Sequence, residues 1–281
     1  MNLIQAILMG IVQGLSEFLP VSSSAHLVFT SNFYKVFKGI EITQQSNQEV
    51  FFDIMLHFGT LIAVLIYFRK DILNICRGLF EGIKSRNFSD NNTKIGLYII
   101  FGTIITIGLA LPLNDFAETL VYAPSVVGRL LIITGIVLFF SEYLHKKQIS
   151  GKSELSVKDS VLIGLAQGLA VLPGFSRSGW TIATGLFCGL DRVVAARYSF
   201  LLSIPIILGA SMVYPFVKID ISEALTYNWS SIIVGTIVSG IVGYLCIKYF
   251  IKFVAKFSLN FFGYYCLVMG IFTCLFFTLY K

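Results

Sequence analysis

Six apolar runs, each close to the length of a membrane span, constrain the fold of this chain more than any other feature. A transmembrane helix needs about 20 predominantly apolar residues. The runs cover residues 51–68, 95–111, 125–143, 198–217, 230–248 and 260–280. Composition agrees, because only 13% of the 281 residues are charged, whereas a soluble domain carries about 25%. The sequence therefore predicts an all-α, multi-pass membrane protein and not a soluble enzyme.

The connections between these runs differ sharply in charge, and this difference predicts the orientation. Lys and Arg concentrate in residues 69–94, in residues 144–158 and in the turn after residue 248. Residues 112–124 contain no Lys or Arg, and residues 218–229 contain one Lys. The positive-inside rule places the basic connections in the cytoplasm. Membrane topology thus accounts for the net charge of +6, and no nucleic-acid partner is expected. The amphipathic stretch 70–86 is expected to lie on the cytoplasmic surface.

Two further apolar stretches, residues 2–30 and 158–190, are interrupted near the middle by Pro, Gly and Ser. Pro20 ends the first half of one stretch, and Pro173 with Gly174 ends the first half of the other. If either stretch crossed the membrane completely, the basic loops that follow it would lie outside the cytoplasm. Each stretch is therefore predicted to be a re-entrant hairpin of two half-helices. Non-helical backbone at membrane depth must be buried in protein or line a wet cavity, so the tips are expected to face inward.

The two hairpins are copies of each other. Residues 10–27 align without a gap with residues 164–181, with identical Gly, Gln, Leu and Ser positions. Charge predicts that the hairpins enter from opposite sides, and three spans follow each of them. This pattern indicates an inverted-topology repeat. We expect one membrane domain, residues 1–281, with repeats at about 2–143 and 158–280 and with both tips meeting near the midplane.

The hairpin tips carry ionisable residues and hydroxyls. An ionisable group inside a membrane helix is expensive and is a functional candidate by default; here these are Glu17, His26 and Arg177. The second half-helices point free N–H groups at the tips, which favours anions, and Arg matches phosphate oxygens. Around them lie Ser22, Ser23, Ser24, Ser176, Ser178 and Thr181. Glu17 and His26 add a metal-binding or acid–base capacity, and a serine activated by His26 is a candidate nucleophile.

Several alternatives stay open at the level of the residues. A lone serine in a membrane helix usually bonds its own backbone. Gln13 and Gln167 have matching positions that suit a bond between the repeats, and His57 on a span is more often structural. Arg129 is expected to extend from its span to the outer surface. The site would lie beside hydrocarbon, so a phosphorylated lipid is the expected substrate. A transporter or flippase of such a lipid is the alternative, because inverted repeats with broken helices are typical of transporters.

At these tips the chain resembles the bacterial undecaprenyl-diphosphate phosphatases linked to bacitracin resistance, and the resemblance covers essentially the whole sequence. The family's second motif, PGxSRSxxT, is present as Pro173, Gly174, Ser176, Arg177, Ser178 and Thr181. The first motif, (E/Q)xxxE followed by PVSS and His, is present as Gln13, Glu17, Ser22, Ser23 and His26. Gln13 occupies the first acidic position, so this chain has one carboxylate of the pair.

The resemblance implies a multi-pass enzyme of the bacterial cytoplasmic membrane. It would hydrolyse undecaprenyl diphosphate to the monophosphate and phosphate on the outer side, recycle the carrier for peptidoglycan synthesis, and depend on Mg²⁺ or Ca²⁺. By resemblance, Glu17 serves metal binding or acid–base chemistry, His26 proton transfer, Arg177 diphosphate binding, and Ser23 nucleophilic attack or phosphate binding. The further substrate-binding candidates are Gln13, Ser22, Gly174, Ser176, Ser178 and Thr181. Membrane lipids are expected partners, and the sequence leaves a homodimer open.

Overall fold

The computed structural model describes residues 2–39, 46–147, 151–218 and 224–279, and the regular elements in these ranges are all helices. In chain order they are α1 (Leu3–Ser16), α2 (Ser23–Phe37), α3 (Asn47–Tyr67), α4 (Arg69–Ser85), α5 (Asn91–Leu120), α6 (Pro124–His145), α7 (Val157–Leu169), α8 (Arg177–Phe187), α9 (Arg192–Lys218), α10 (Trp229–Val254) and α11 (Asn260–Leu279). The predicted all-α architecture is confirmed.

Six of these helices, α3, α5, α6, α9, α10 and α11, are long and apolar enough to cross a membrane. They confirm the six predicted spans, although most extend beyond the apolar runs. At the starts of α3 and α5 the extensions follow from polar caps that a hydropathy pattern does not register. At the start of α5, the Asp90 side chain accepts hydrogen bonds from the backbone N–H groups of Asn92 and Thr93. At the start of α3, Ser46 and Glu49 form a reciprocal capping box.

Both hairpin stretches are broken helices, as predicted. Residues 17–22 separate α1 from α2, and residues 170–176 separate α7 from α8. Ser22 caps α2 and Ser176 caps α8, each accepting a hydrogen bond from a backbone N–H three residues ahead. Gly174 has φ = 105°, and a Cβ there would lie 2.5 Å from the backbone oxygen of Val127, so the second break requires glycine. That each stretch enters and leaves the membrane on one side, and the depth of the tips in the bilayer, stay predictions.

The first helix of each half of the chain packs mainly against a spanning helix of the other half. Helix α1 packs mainly against α10, whereas α7 packs mainly against α5. The contacts are equivalent: a Cβ at Gly10 would lie 2.7 Å from the backbone oxygen of Gly235, and one at Gly164 would lie 2.7 Å from that of Gly102. Small residues allow such close approach between membrane helices. Each hairpin is therefore held by a span of the other half, while the repeat boundaries stay a prediction.

A buried ion pair joins three of the spanning helices. Glu142 near the end of α6 accepts hydrogen bonds from Nε and Nη2 of Arg192 at 2.8 and 2.6 Å. The backbone N–H of Leu259, just before α11, donates to the same carboxylate at 2.9 Å. Only 1% of the Glu142 side chain is exposed. The pair fixes the start of α9 and of α11 against α6, outside the cavity described below.

Candidate active site

The two hairpin tips are in contact, and Glu17 lies at the centre of that contact. Glu17 follows the last residue of α1 and is buried. Nη2 of Arg177, the first residue of α8, donates to Glu17 Oε1 at 2.5 Å. A second bond joins the tips, because the Ser178 hydroxyl donates to the backbone oxygen of Leu19 at 2.9 Å. Two charged residues 160 positions apart in the sequence thus form one largely buried ion pair.

Three further groups lie around Oε2, the second oxygen of the Glu17 carboxylate. The Ser23 hydroxyl donates to Oε2 at 2.6 Å, and Gln13 Nε2 donates to the same atom at 2.8 Å. His57 Nε2 lies 3.6 Å from it. A carboxylate removed from water needs such compensation. The arrangement also orients the Ser23 hydroxyl, because its hydrogen points at Glu17 and its lone pairs are directed elsewhere.

His57, on α3, is the residue that the sequence analysis did not place in the site. Its Nδ1 lies 2.8 Å from the backbone oxygen of Asp53. A carbonyl oxygen only accepts, so Nδ1 carries a hydrogen. Nε2 then faces the Glu17 carboxylate, 3.6 Å from Oε2. Nothing in the sequence signals this contact, because it depends on the rotation of α3 about its axis.

A cavity of about 310 Å³ opens beside this cluster. Its polar wall consists of Glu17, Ser22, Ser23, Ser24, His57, Gln167, Arg177, Ser203 and Ser211. Its apolar wall consists of Ile54, Ala170, Val171, Phe175, Ile206, Ile207 and Ala210. The volume is at the low end for ligand pockets, so it suits a small charged group with the first part of an apolar chain.

Several polar atoms of the cavity lining are buried without a protein partner. Among the described residues, Nη1 of Arg177, Oε1 of Gln167 and the Ser211 hydroxyl make no hydrogen bond. Buried polar groups are nearly always paired, and an unpaired one costs about 1–3 kcal/mol. A polar ligand in the cavity would satisfy them. The free guanidinium nitrogen in particular favours an anionic group.

Two helices begin at the cavity wall. Ser22, Ser23 and Ser24 at the start of α2 and Arg177 at the start of α8 all line it. The N–H groups of a first helical turn have no intrahelical acceptor, and together with the helix dipole they attract anions. Ser22 adopts φ = 69°, a left-handed conformation that is strained for a residue with a side chain. This strained turn sets the start of α2 beside Glu17.

The other predicted site residues support the tips and are absent from the cavity wall. His26 Nδ1 contacts the Ser22 backbone oxygen at 2.8 Å, and Nε2 contacts the Tyr265 hydroxyl at 2.6 Å. The Thr181 hydroxyl donates to the Arg177 backbone oxygen at 2.7 Å. The remaining members of this group are Gln13, Gly174, Ser176 and Ser178. The predicted role of His26 as a base stays a prediction, since the structure pairs it with Tyr265.

The side chains at the cavity fit a protein-held divalent cation poorly. Among the residues that the structure describes, Glu17 is the only carboxylate in the cavity lining, and both of its oxygens already have partners. Within the ranges that the structure covers, no group of three or more His, Cys, Asp and Glu side chains is arranged to hold a metal. A neighbouring guanidinium further disfavours a cation at Glu17. The predicted metal at this residue therefore has no ready-made ligand set.

Comparison with known proteins identifies the family. The family model described as "Bacitracin resistance protein BacA" matches residues 6–272. A protein of Methanobrevibacter smithii named undecaprenyl-diphosphatase is 41% identical, over 96% of each chain. One of Methanosphaera stadtmanae with the same name is 40% identical over 97% of each chain, and undecaprenyl-diphosphatase 1 of Pseudoalteromonas translucida is 37% identical over 99% of this chain and 100% of its own. The chain belongs to the BacA bacitracin-resistance family of multi-pass membrane proteins.

Proposed function

We propose that this protein is an undecaprenyl-diphosphate phosphatase of the cell membrane, which releases phosphate from the diphosphate and leaves undecaprenyl phosphate. Relatives of that name match nearly its full length. The observation that carries the proposal is the free Nη1 of Arg177 in a cavity where the Ser23 hydroxyl is bonded to the Glu17 carboxylate. Such an enzyme returns the lipid carrier to peptidoglycan synthesis and counteracts bacitracin.

The diphosphate binds between the starts of α2 and α8. Arg177 keeps one nitrogen on Glu17 and offers the other to phosphate oxygens, so binding does not require breaking the ion pair. Free N–H groups of both first helical turns supply further donors. These positive groups are already in place before the reaction, and such preorganised stabilisation is usually the largest contribution to catalysis.

Ser23 is the nucleophile in this scheme. Its oxygen attacks the terminal phosphorus, its proton passes to Glu17 Oε2 at 2.6 Å, and the bond from phosphorus to the bridging oxygen breaks. Undecaprenyl phosphate leaves, and water then hydrolyses the phosphoserine. We assign the proton to Glu17 because the Ser23 hydroxyl points at it, whereas both ring nitrogens of His26 are engaged elsewhere. Labelled phosphate trapped on Ser23 would support covalent attack, and its absence would favour direct attack by water.

The position of the cavity fits an apolar substrate reached from the outer side. Its apolar wall includes Ile54 on α3 and Ile206, Ile207 and Ala210 on α9. In the orientation predicted from charge, these residues lie between the tips and the outer ends of both helices. The cavity is too small for a complete polyprenyl chain, so the tail extends into the bilayer. The homodimer that the sequence leaves open stays a prediction.

A dependence on Mg²⁺ or Ca²⁺ belongs to the proposal, with the cation bound mainly by the substrate. The donor set at Glu17 is unsuited to holding a cation alone, as shown above. Mg²⁺ in phosphate-transferring enzymes such as kinases is commonly bound through one or two carboxylates together with substrate phosphates. No step described here depends on the cation.

Phosphate release in detergent micelles tests the proposed function. Micelles have no two sides, so a transporter produces no signal there, whereas a phosphatase releases phosphate from undecaprenyl diphosphate. We expect release by the purified protein and loss of it in Arg177→Gln. Arg197→Gln is the matched control, because Arg197 also pairs with a carboxylate, that of Asp71, but is exposed and lies outside the cavity. No release by the unmodified protein, in the presence of either cation, would contradict the proposal.

A further inference from the structure

Arg129 is an exposed arginine within a membrane span. It lies on α6, five residues after the helix begins at Pro124. Its one hydrogen bond within the described part of the chain is a long one, 3.4 Å from Nε to the backbone oxygen of Ser125. No carboxylate of the described residues pairs with it. A guanidinium at this depth, near hydrocarbon and without an acidic partner, needs an anion or water from outside the protein.

This guanidinium lines a groove of about 450 Å³ between α6 and α11. The groove combines polar groups with an apolar floor. Its lining residues are Ser125, Arg129, Ile132, Ile271, Cys274, Leu275 and Thr278. None of them lines the catalytic cavity. The groove is therefore a separate feature of the molecule and does not depend on the proposed function.

The two helices that form the groove are held rigidly beneath it. A Cβ at Gly128 would lie 2.9 Å from the backbone oxygen of Gly270, and one at Gly270 would lie 2.6 Å from that of Gly128. The Cys274 thiol donates to the Ser125 backbone oxygen at 3.3 Å. Such close backbone packing leaves the helices little freedom to move together or apart. The groove is thus formed before any ligand binds.

The depth of the groove matches the headgroup region of one leaflet. Arg129 lies about 7.5 Å along the helix axis from the start of α6, at a rise of 1.5 Å per residue. Thr278 is next to the last residue of α11. The start of α6 and the end of α11 both lie on the outer side in the orientation predicted from charge. α6 also begins without a side-chain cap, so its positive dipole end adds to the charge of Arg129.

We propose that this groove binds an anionic phospholipid of the outer leaflet. The guanidinium of Arg129 contacts the phosphate, as expected for a planar fork of donors. The Ser125 hydroxyl lies beside the same headgroup. One acyl chain follows the apolar side chains of Ile132, Ile271 and Leu275. The chemistry requires a negative charge joined to a hydrocarbon tail, which a phospholipid such as phosphatidylglycerol supplies.

The test is titration of the detergent-purified full-length protein with dioctanoyl phosphatidylglycerol, with bound lipid counted by native mass spectrometry. We expect Arg129→Gln to weaken binding at this site about tenfold, since a hydrogen bond to a charged group is worth roughly one decade of affinity. Arg77→Gln removes the same charge from the exposed face of α4, on the other side of the membrane, and should leave this binding unchanged. Leu275→Trp keeps the charge, fills the groove and should also weaken binding.

Three results would overturn the proposal. The first is equal lipid binding by Arg129→Gln and the unmodified protein. The second is equal binding of dioctanoyl phosphatidylcholine, whose positive choline group would reveal no preference for net negative charge. The third is displacement of the lipid by a short polyprenyl phosphate, which would assign the groove to substrate or product. Phosphate release in detergent should be unaffected by Arg129→Gln, so this test is independent of the catalytic one.

Discussion

Replacing Glu17 by Gln removes one negative charge from the site while keeping the size of the side chain. In the structure the carboxylate accepts hydrogen bonds from Gln13, Ser23 and Arg177. The amide of Gln has one acceptor oxygen in place of two, and its NH₂ group, itself a donor, faces side chains that also donate. The Ser23 hydroxyl then has no proton acceptor, and the Arg177 guanidinium has no counter-charge. We therefore expect both the rate of phosphate release and the stability of the protein to decrease.

The expected magnitudes follow from these contacts. Removing one partner of a buried ion pair costs about 3–5 kcal/mol. Arg177 borders the cavity, with 17% of its side chain exposed, so the lower end of that range applies, about 3 kcal/mol. Loss of a general base reduces the rate roughly 10²–10⁴-fold. The loss of rate should therefore be larger than the decrease in the fraction of folded protein can explain.

Glu142→Gln is the matched control for this change. Glu142 is likewise buried and paired with an arginine, Arg192, but it lies outside the cavity. Thermal unfolding should show a destabilisation at least as large as that of Glu17→Gln, because Glu142 also accepts the backbone N–H of Leu259. Phosphate release per folded molecule, measured below both unfolding temperatures, should be close to normal in Glu142→Gln and strongly reduced in Glu17→Gln. Near-normal turnover by Glu17→Gln, or an equal loss in both variants, would refute the reasoning.

Three substitutions and one binding measurement test separate parts of the account. Ser23→Ala should abolish phosphate release with little effect on folding, and substantial residual release would exclude Ser23 as the nucleophile. His57→Gln, which keeps a polar side chain beside Glu17 but removes the imidazole, should reduce turnover with little change in KM for the lipid; unchanged turnover would make His57 structural. Gly174→Ala should destabilise the protein by more than the roughly 1–3 kcal/mol of a strained backbone alone, because the added Cβ clashes with the backbone of Val127. Gly39→Ala is the control, since Gly39 also has a positive φ, 64°, but an added Cβ there has nothing within 4 Å. Equal unfolding temperatures of the two variants would contradict this. Calorimetry without substrate should detect no stoichiometric Mg²⁺ or Ca²⁺ binding, and tight binding would revise the poor fit of the cavity to a metal.

The fold was largely predictable because the bilayer imposes strong rules on sequence. Apolar length set the six spans, and Pro and Gly marked the breaks at residues 17–22 and 170–176. The copied motif placed Glu17 and Arg177 at equivalent tips, and the structure brings them into contact. These features depend on local composition and on repetition, both of which can be read directly from a single chain.

The missed features depend on how distant helices rotate and cross. His57 reaches Glu17 only because one face of α3 turns towards the first hairpin, and a lone His on a span gives no sign of that face. His26 meets Tyr265, which is 239 positions away and has no distinguishing sequence context. The buried Glu142 was missed for the same reason, because its partner Arg192 lies in a different half of the chain. Pairings of this kind need coordinates.

A double-mutant cycle tests most directly whether the two hairpin tips form one catalytic unit. The measurement is kcat/KM for phosphate release from undecaprenyl diphosphate by the unmodified protein, Glu17→Gln, Arg177→Gln and the double variant. Residues that act as a unit are strongly non-additive. The account predicts a double variant within about tenfold of the slower single variant, since either change already disables the shared site. Two large losses that multiply in the double variant would show that the tips act independently and would contradict the account.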